Sequence, residues 1–277
     1  MHKLSDQEWF ETIKKSYPNG NEFPYGLPAF PPEQLQKNTV GLAAEDALTQ
    51  AFEFYVAVKE ALFLKNIQLS IDNQIIDFGC GWGRISRFFI KDVSVNNIYG
   101  LDVEQSFIDV CTSTFANKNF SLINPFPPVQ NFADSSCDLI VAYSVFSHLS
   151  EQAFLLWLKE FHRILRPKGV VAFTTRHKHF LDYCEKLKGL TNSGYQHSLA
   201  HMFDNFNDAR RRYGAGEFVF SNAKGVTGGG AMNENFYGEA FIPEKYAKKA
   251  AENTGFSDVI TILPHGLVDQ QTYLLFK

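Results

Sequence analysis

The sequence predicts an α/β protein built on a doubly wound seven-stranded sheet, mostly parallel, with an antiparallel last strand. Three observations predict it. Short apolar runs alternate with amphipathic helical patterns from residue 74 onward. One of these transitions, "IIDFGCGWGRISRFF" (75–89), joins an apolar strand to a helix through a glycine-rich turn. The last two strand-like runs, "FSDVITIL" and "QTYLLFK", are separated only by "PHGLVDQ". So short a turn joins antiparallel strands, and the last strand must run against its neighbour.

Residues 1–70 are predicted to form a helical N-terminal cover. A short amphipathic helix covers Asp6 to Ser16. Five prolines between Pro18 and Pro32 then forbid regular structure. Ala47, Ala51, Phe54, Val58 and Leu62 recur at three- and four-residue steps, which predicts a helix over 43–65 with one buried face. Residues 71–277 form the main domain. Its strands are expected at 74–79, 97–103, 120–123, 138–144, 170–176, 256–263 and 271–277. Helices are expected at 84–91, 104–115, 151–165 and 243–255, the last with Pro in its first turn and Gly after its end. The stretch 124–137 is prolyl and polar and reads as loop. "RPKG" (166–169) reads as a turn into the fifth strand. Residues 178–236 break the alternation: helices at 178–189 and 196–213 precede a hairpin within 217–238. This stretch reads as an insertion with little apolar content of its own, forming a lid over a substrate.

Composition narrows the function. Net charge is −4, which gives no electrostatic reason to expect nucleic acid or an anionic membrane as partner. No run approaches the roughly 18 apolar residues of a membrane span. The opening "MHKLSDQEWFETIKK" is too polar for a secretory signal. Cys80, Cys111, Cys137 and Cys184 form no CxxC pair, and HExxH spacing is absent, so reduced thiols and no metal are expected. The expectation is a cytoplasmic protein.

The glycine turn is specific about its ligand. A dinucleotide fingerprint, GxGxxG, would require glycine at position 84, which is Arg84; the third glycine falls at Gly83. Asp77 ends the preceding strand. An acid there repels a pyrophosphate and attracts an ammonium or sulfonium group. The second strand ends in Asp102, where a carboxylate can accept both hydroxyls of a ribose.

These residues resemble the class I methyltransferases that use S-adenosylmethionine. "IIDFGCGWGR" is similar to their first motif and "IYGLDVE" to their second. "DLIVAYSVFSHL" and "EFHRILRPKGVVAFTT" are similar to the fourth-strand motif and the helix–turn–strand that follows. The resemblance covers about residues 71–176 and 237–277. A looser similarity, in "LPAFPPEQLQKNTVG", "SVFSHLSEQAFLLWLKE" and "PHGLVDQQTYLLFK", points to bacterial small-molecule methyltransferases, some acting on sugars or glycans. The family implies a Rossmann-like sheet and S-adenosylmethionine as cofactor. It implies that Gly79, Gly81 and the adjoining backbone of Phe78, Cys80 and Gly83 lie under the methionine part and ribose. Asp77 would face the amino group, Asp102 the ribose hydroxyls and Val103 the adenine. Asn124 to Phe126 would reach the adenine edge, though the family often has an acid where Asn124 stands. Tyr143 and Ser144 would flank the transferring methyl. Arg84 would either approach the carboxylate or face solvent.

Methyl transfer needs a base only when the acceptor must lose a proton. His148 is the first candidate, on the rim beyond the fourth strand; its alternative is to pack the loop before the helix at Glu151. His177, after the fifth strand, and His265, in the last turn, are further candidates, each with a surface histidine as the plain alternative. His179, Tyr195, His197, His201 and the triplet Arg210, Arg211, Arg212 lie in the insertion, and Tyr237 and Glu239 return from it toward the sheet. Trp9, Tyr17, Phe23, Tyr25 and Phe30 could close over the site. The reading is methyl transfer to an oxygen or nitrogen of a small-molecule acceptor, with a sugar or glycan as one class. The rival readings are a non-catalytic cofactor-binding protein of the same fold and an NAD-dependent oxidoreductase.

Overall fold

The structure, a computed structural model, describes residues 3–20, 26–115, 117–228 and 230–277. Nine strands are assigned among these residues: β1 (Ile75–Phe78), β2 (Ile98–Asp102), β3 (Phe120–Leu122), β4 (Cys137–Ala142), β5 (Leu165–Thr175), β6 (Val219–Ser221), β7 (Glu239–Phe241), β8 (Asp258–Ile262) and β9 (Gln271–Phe276). Seven of them form one sheet in the order β3-β2-β1-β4-β5-β9-β8, while β6 and β7 make a separate antiparallel pair. β1 runs parallel to β2 and β4, and β2 parallel to β3. β9 is antiparallel to both β5 and β8, with Phe276 opposite Val170 and Asp258. The seven strands and the reversed last strand are those the sequence predicts. All residues of β1 and β9 are buried, as near-continuous apolar runs require when both faces of a sheet are covered.

The chain divides into two compact units. The first holds residues up to Ile123 with Ser136–Val141 and His265–Val268. Its helices are α1 (Asp6–Lys15), α2 (Glu33–Val40), α3 (Ala44–Leu64), α4 (Ser86–Phe89) and α5 (Gln105–Thr114). Ser5 and Glu8 cap α1 reciprocally, and its face of Trp9, Phe10 and Ile13 is buried. Trp9 Nε1 donates to Phe88 O at 2.9 Å, fastening α1 onto α4. The predicted face of α3 is the buried one: Ala47, Ala51, Phe54, Val58 and Leu62 are each at most 2% exposed.

Two expectations in this unit are corrected. Helix α2 was not foreseen after the prolyl stretch, although Pro32 precedes it and Gly41, at φ 75°, ends it. The helix expected over 84–91 is only the four residues of α4. Phe88 N already donates to Ile85 O in the tighter i−3 pattern, so the helix is over almost as it begins. Phe23 and Tyr25 lie outside the described residues.

The second unit holds Asn124–Ser135, Ala142–Pro264 and Asp269–Lys277. Its helices are α6 (Glu151–Ile164), α7 (Lys178–Lys186), α8 (Gly194–Ala200), α9 (Phe206–Ala215) and α10 (Glu244–Thr254). Ser150 caps α6, and Gly255 ends α10 at φ 102°. Four expectations change here. "RPKG" belongs to β5: Lys168 takes the left-handed φ of 69°, but its N–H donates to Lys277 O, and Lys277 N returns to Gly169 O. The kink therefore stays hydrogen-bonded to the end of the chain. The single helix expected at 196–213 is two, because the Asn205 side chain accepts the Asn207 and Asp208 N–H groups and starts α9 afresh. The second hairpin strand is β7, beyond the predicted stretch. The insertion also has a core of its own: Leu181, Leu199, Met202, Phe206, Val219 and Phe241 form one buried cluster.

Candidate active site

In the first unit, the glycine turn follows β1 directly. Gly79, Gly81 and Gly83 all have positive φ, at 71°, 52° and 77°. At Gly83 an added Cβ would lie 2.4 Å from the Phe115 ring, whereas at Gly81 it would meet only Thr39 Cγ2, at 3.4 Å. Gly83 thus serves packing, and Gly81 leaves room beside the backbone. Asp102 closes the turn from the end of β2. Its Oδ2 accepts Gly81 N–H at 2.9 Å and its Oδ1 accepts Glu104 N–H at 3.0 Å. Each oxygen keeps a further lone pair, so a pair of vicinal hydroxyls finds two acceptors here. Burial raises the Asp102 carboxyl above its ordinary range against the pull of these N–H donors. Val103, next in the chain, is half-buried. These residues fit the nucleoside part of S-adenosylmethionine.

Asp77 is 1% exposed, and its Oδ2 accepts both the N–H and the hydroxyl of Ser86, at 2.9 and 2.7 Å. What the structure shows of Asp77 is a brace across the turn. Burial pushes its carboxyl up to about 6. Phe78 and Cys80 are buried, and Cys111 Sγ lies 3.2 Å from Gly81 O. Arg84 does neither thing expected of it. It is 3% exposed and donates to Ala47 O and Gln50 Oε1 on α3, both at 2.9 Å. His265 sits in the exposed β8–β9 turn, paired through its backbone with Val268. The neighbouring Leu267 exchanges hydrogen bonds with Gln50 and Glu53.

In the second unit, Tyr143 and Ser144 follow the last residue of β4. Ser144 takes a left-handed φ of 59°, a strained conformation for a residue with a side chain. It is held by Thr174 Oγ1, which accepts its N–H, and by Gln270, which donates to its Oγ. Asn124 is exposed and Phe126 half-buried, its ring edge-on to Phe236 at 5.7 Å.

His148 is the best-fixed of the candidate bases. Its ring stacks on Tyr237 at 4.8 Å and 4°. Its Nδ1 lies 2.8 Å from Gly238 O and 3.3 Å from Glu239 Oε1. Its carbonyl accepts Gly238 N–H at 2.8 Å, so the 147–149 segment is paired with the approach to β7. Glu239 is fully buried and also meets Arg176 Nε at 2.8 Å and the Tyr195 hydroxyl. The neighbouring Arg176 and His148 hold Glu239 down at about 2 despite the burial that opposes ionisation. Sequence reading missed Arg176. The signal was a charge closing the apolar run "VVAFTTR", which needs a buried partner, and the acid inside "FYGEAF" supplies it.

His177 is the N-cap of α7, and burial and the nearby His179 and Lys178 lower it to about 4. His197 Nδ1 contacts Thr191 O and His201 Nδ1 contacts His197 O. The arginine triplet is absorbed by acids: Arg210 by Asp182 and Glu185, Arg211 by Asp208 and Arg212 by Glu217. A groove of about 590 Å³ lined by Glu151, Arg212, Phe218 and Lys249 contains one member of the arginine triplet but none of the candidate bases or cofactor-binding residues. No group of acids, histidines and cysteines among the described residues could hold a metal ion, and no described helix is long and apolar enough to cross a membrane.

Comparison with known proteins bears on the domain and the fold. Residues 75–169 match a family described as a methyltransferase domain. The "Putative methyltransferase 235L" of Invertebrate iridescent virus 6 is 28% identical over 82 residues, which is 29% of this chain and 29% of that one. The match thus spans under a third of the curated relative. Among solved structures, an S-adenosylmethionine-dependent methyltransferase from Mesorhizobium loti aligns with a TM-score of 0.50 at 12% identity, over 75% of this chain and 91% of that one. One from Clostridium acetobutylicum aligns at 0.50 and 15% identity, over 83% and 91%. Residues 75–169 are thus similar to the methyltransferase-domain family, and the sheet has the fold of these class I methyltransferases.

Proposed function

We propose that this protein, carrying a class I methyltransferase domain, transfers a methyl group from S-adenosylmethionine to an oxygen or nitrogen of a small-molecule acceptor. The observation that carries the donor is Asp102 closed onto Gly81 and Glu104, with acceptor capacity left on both oxygens. Asp102 holds the ribose hydroxyls, Val103 presses on the adenine, and the open backbone at Gly81 admits the rest of the molecule beside Gly79. Asp77 sets the shape of the turn through Ser86. S-adenosylmethionine supplies an electrophilic methyl group on a sulfonium sulfur. The protein's task in such a displacement is alignment and exclusion of water.

On the acceptor side, a histidine fixed on three sides favours a hydroxyl, which has a proton to lose, over an amine that is already neutral. A sugar hydroxyl fits that chemistry. The insertion 178–236, with its own apolar core, is proposed as the cover that shapes the acceptor site. The test is incubation of purified protein with methyl-labelled S-adenosylmethionine and a panel of small sugars, phenols and amines. Label on a hydroxyl-bearing compound is expected. Tight donor binding with no labelled product from any compound would favour the non-catalytic reading.

A further inference from the structure

We propose that Glu239 is a positioning residue which, with the Gly238 carbonyl, fixes His148 as the proton acceptor for the substrate hydroxyl. This rests on the methyl-transfer reading but is built from contacts within one unit. A carbonyl oxygen only accepts, so the 2.8 Å contact with Gly238 O places the ring proton of neutral His148 on Nδ1. Nε2 is then a bare base, and it bonds to no described residue. Glu239 Oε1, 3.3 Å from Nδ1, adds a full negative charge on the same side of the ring. That charge stabilises the imidazolium formed when Nε2 takes a proton.

The arrangement is built rather than incidental. Glu239 opens β7, and its oxygens are divided: Oε2 meets Arg176, while Oε1 meets Tyr195 and His148. Arg176 compensates the carboxylate's charge, stacks on Phe180 at 4.1 Å, and keeps the carboxylate from moving. Gly238 brings the chain in: a Cβ there would lie 2.2 Å from Ser221 O, so only glycine permits this approach. Tyr237 fixes the ring plane from the side. In the reaction, the acceptor hydroxyl gives its proton to Nε2 as its oxygen forms the new bond to the methyl carbon. The carbon–sulfur bond breaks with its electron pair left on sulfur, and the proton later passes from Nε2 to water.

The same contacts would also suit a purely structural Arg176–Glu239 pair, and the experiment separates the two without needing the acceptor. Full-length protein labelled with ¹⁵N-histidine is followed by NMR from pH 5 to 9, with His148→Gln assigning the ring signals. The groups facing this ring and its carboxylate are Glu239, Arg176, Tyr195, Tyr237 and Cys184. The neutral wild-type ring is expected as the Nδ1–H tautomer. In Glu239→Gln its proton affinity is expected to fall about tenfold, moving the titration midpoint down by about one pH unit. Glu239→Asp keeps the charge beside Arg176 and should lie between the two; it serves if the glutamine variant does not fold. An Nε2–H tautomer in wild type, or an unchanged midpoint in both variants, overturns the proposal. If the ring behaves as expected while no labelled methyl reaches any compound, the pair stands and the reading of the reaction fails.

Discussion

Gly83 and Gly81 are two residues apart in one turn, yet replacing each by alanine should have very different consequences. Both adopt positive φ, at 77° and 52°, and forcing a Cβ into that region costs about 1–2 kcal/mol at either position. At Gly83 the new methyl would also stand 2.4 Å from Phe115 Cε2 and 2.7 Å from its Cζ. That ring cannot step aside. It is 4% exposed, packs on Phe120 at 4.8 Å and lies within 5.8 Å of the Arg87 guanidinium. Overpacking of this kind adds about 1–3 kcal/mol, giving about 2–5 kcal/mol in total for Gly83→Ala. A domain's whole stability is about 5–15 kcal/mol, so the loss is large. At Gly81 the nearest atom is Thr39 Cγ2 at 3.4 Å, an ordinary contact, and only the backbone term remains. Urea unfolding followed by circular dichroism measures both. Gly83→Ala should unfold at clearly lower denaturant than Gly81→Ala. Equal midpoints for the two variants would refute the assignment of Gly83 to packing and of Gly81 to open space.

The brace at Asp77 predicts a pH effect. Its carboxyl is raised from 3.8 to about 6, so its contribution to stability is full below about pH 4 and is lost as pH rises through 6. Asp77→Asn removes that dependence, and its stability relative to wild type should improve across this window by up to about 3 kcal/mol; parallel pH–stability curves would refute the buried-charge argument. Ser5→Ala removes the oxygen that accepts Glu8 N–H and should destabilise α1 by about 1 kcal/mol, seen as faster amide exchange at Trp9 and Phe10; unchanged exchange would deny the cap any role.

The sheet was legible because its evidence is local and repeated. The period of α3, the turn at Gly255 and the short "PHGLVDQ" link each carry their own signal. The glycine turn was legible for the same reason: Asp77, the three glycines and Asp102 fall within one strand–turn–helix–strand unit. The cluster around the proposed base was not. His148, Arg176, Tyr195 and Glu239 are scattered over more than ninety positions of the chain and meet only because 147–149 pairs with the approach to β7. Burial of an ion pair is likewise invisible in one dimension. Arg84 reads as either a ligand contact or a solvent-facing charge and Arg176 is not singled out at all, yet one serves α3 and the other neutralises a buried acid. The insertion's core was missed because its apolar residues come from three short helices and a two-stranded pair separated along the chain, and they meet only in the fold.

The central claim is that Asp102 and the open glycine backbone hold the nucleoside of S-adenosylmethionine. Titration calorimetry with S-adenosylhomocysteine, on wild type and on Asp102→Ala, tests it most directly. Two hydroxyl–carboxylate bonds at about 1.5–3 kcal/mol each predict a loss of at least about a hundredfold in affinity for the variant. Equal affinity in a folded Asp102→Ala protein, or binding of a nicotinamide dinucleotide in place of S-adenosylhomocysteine, would contradict it.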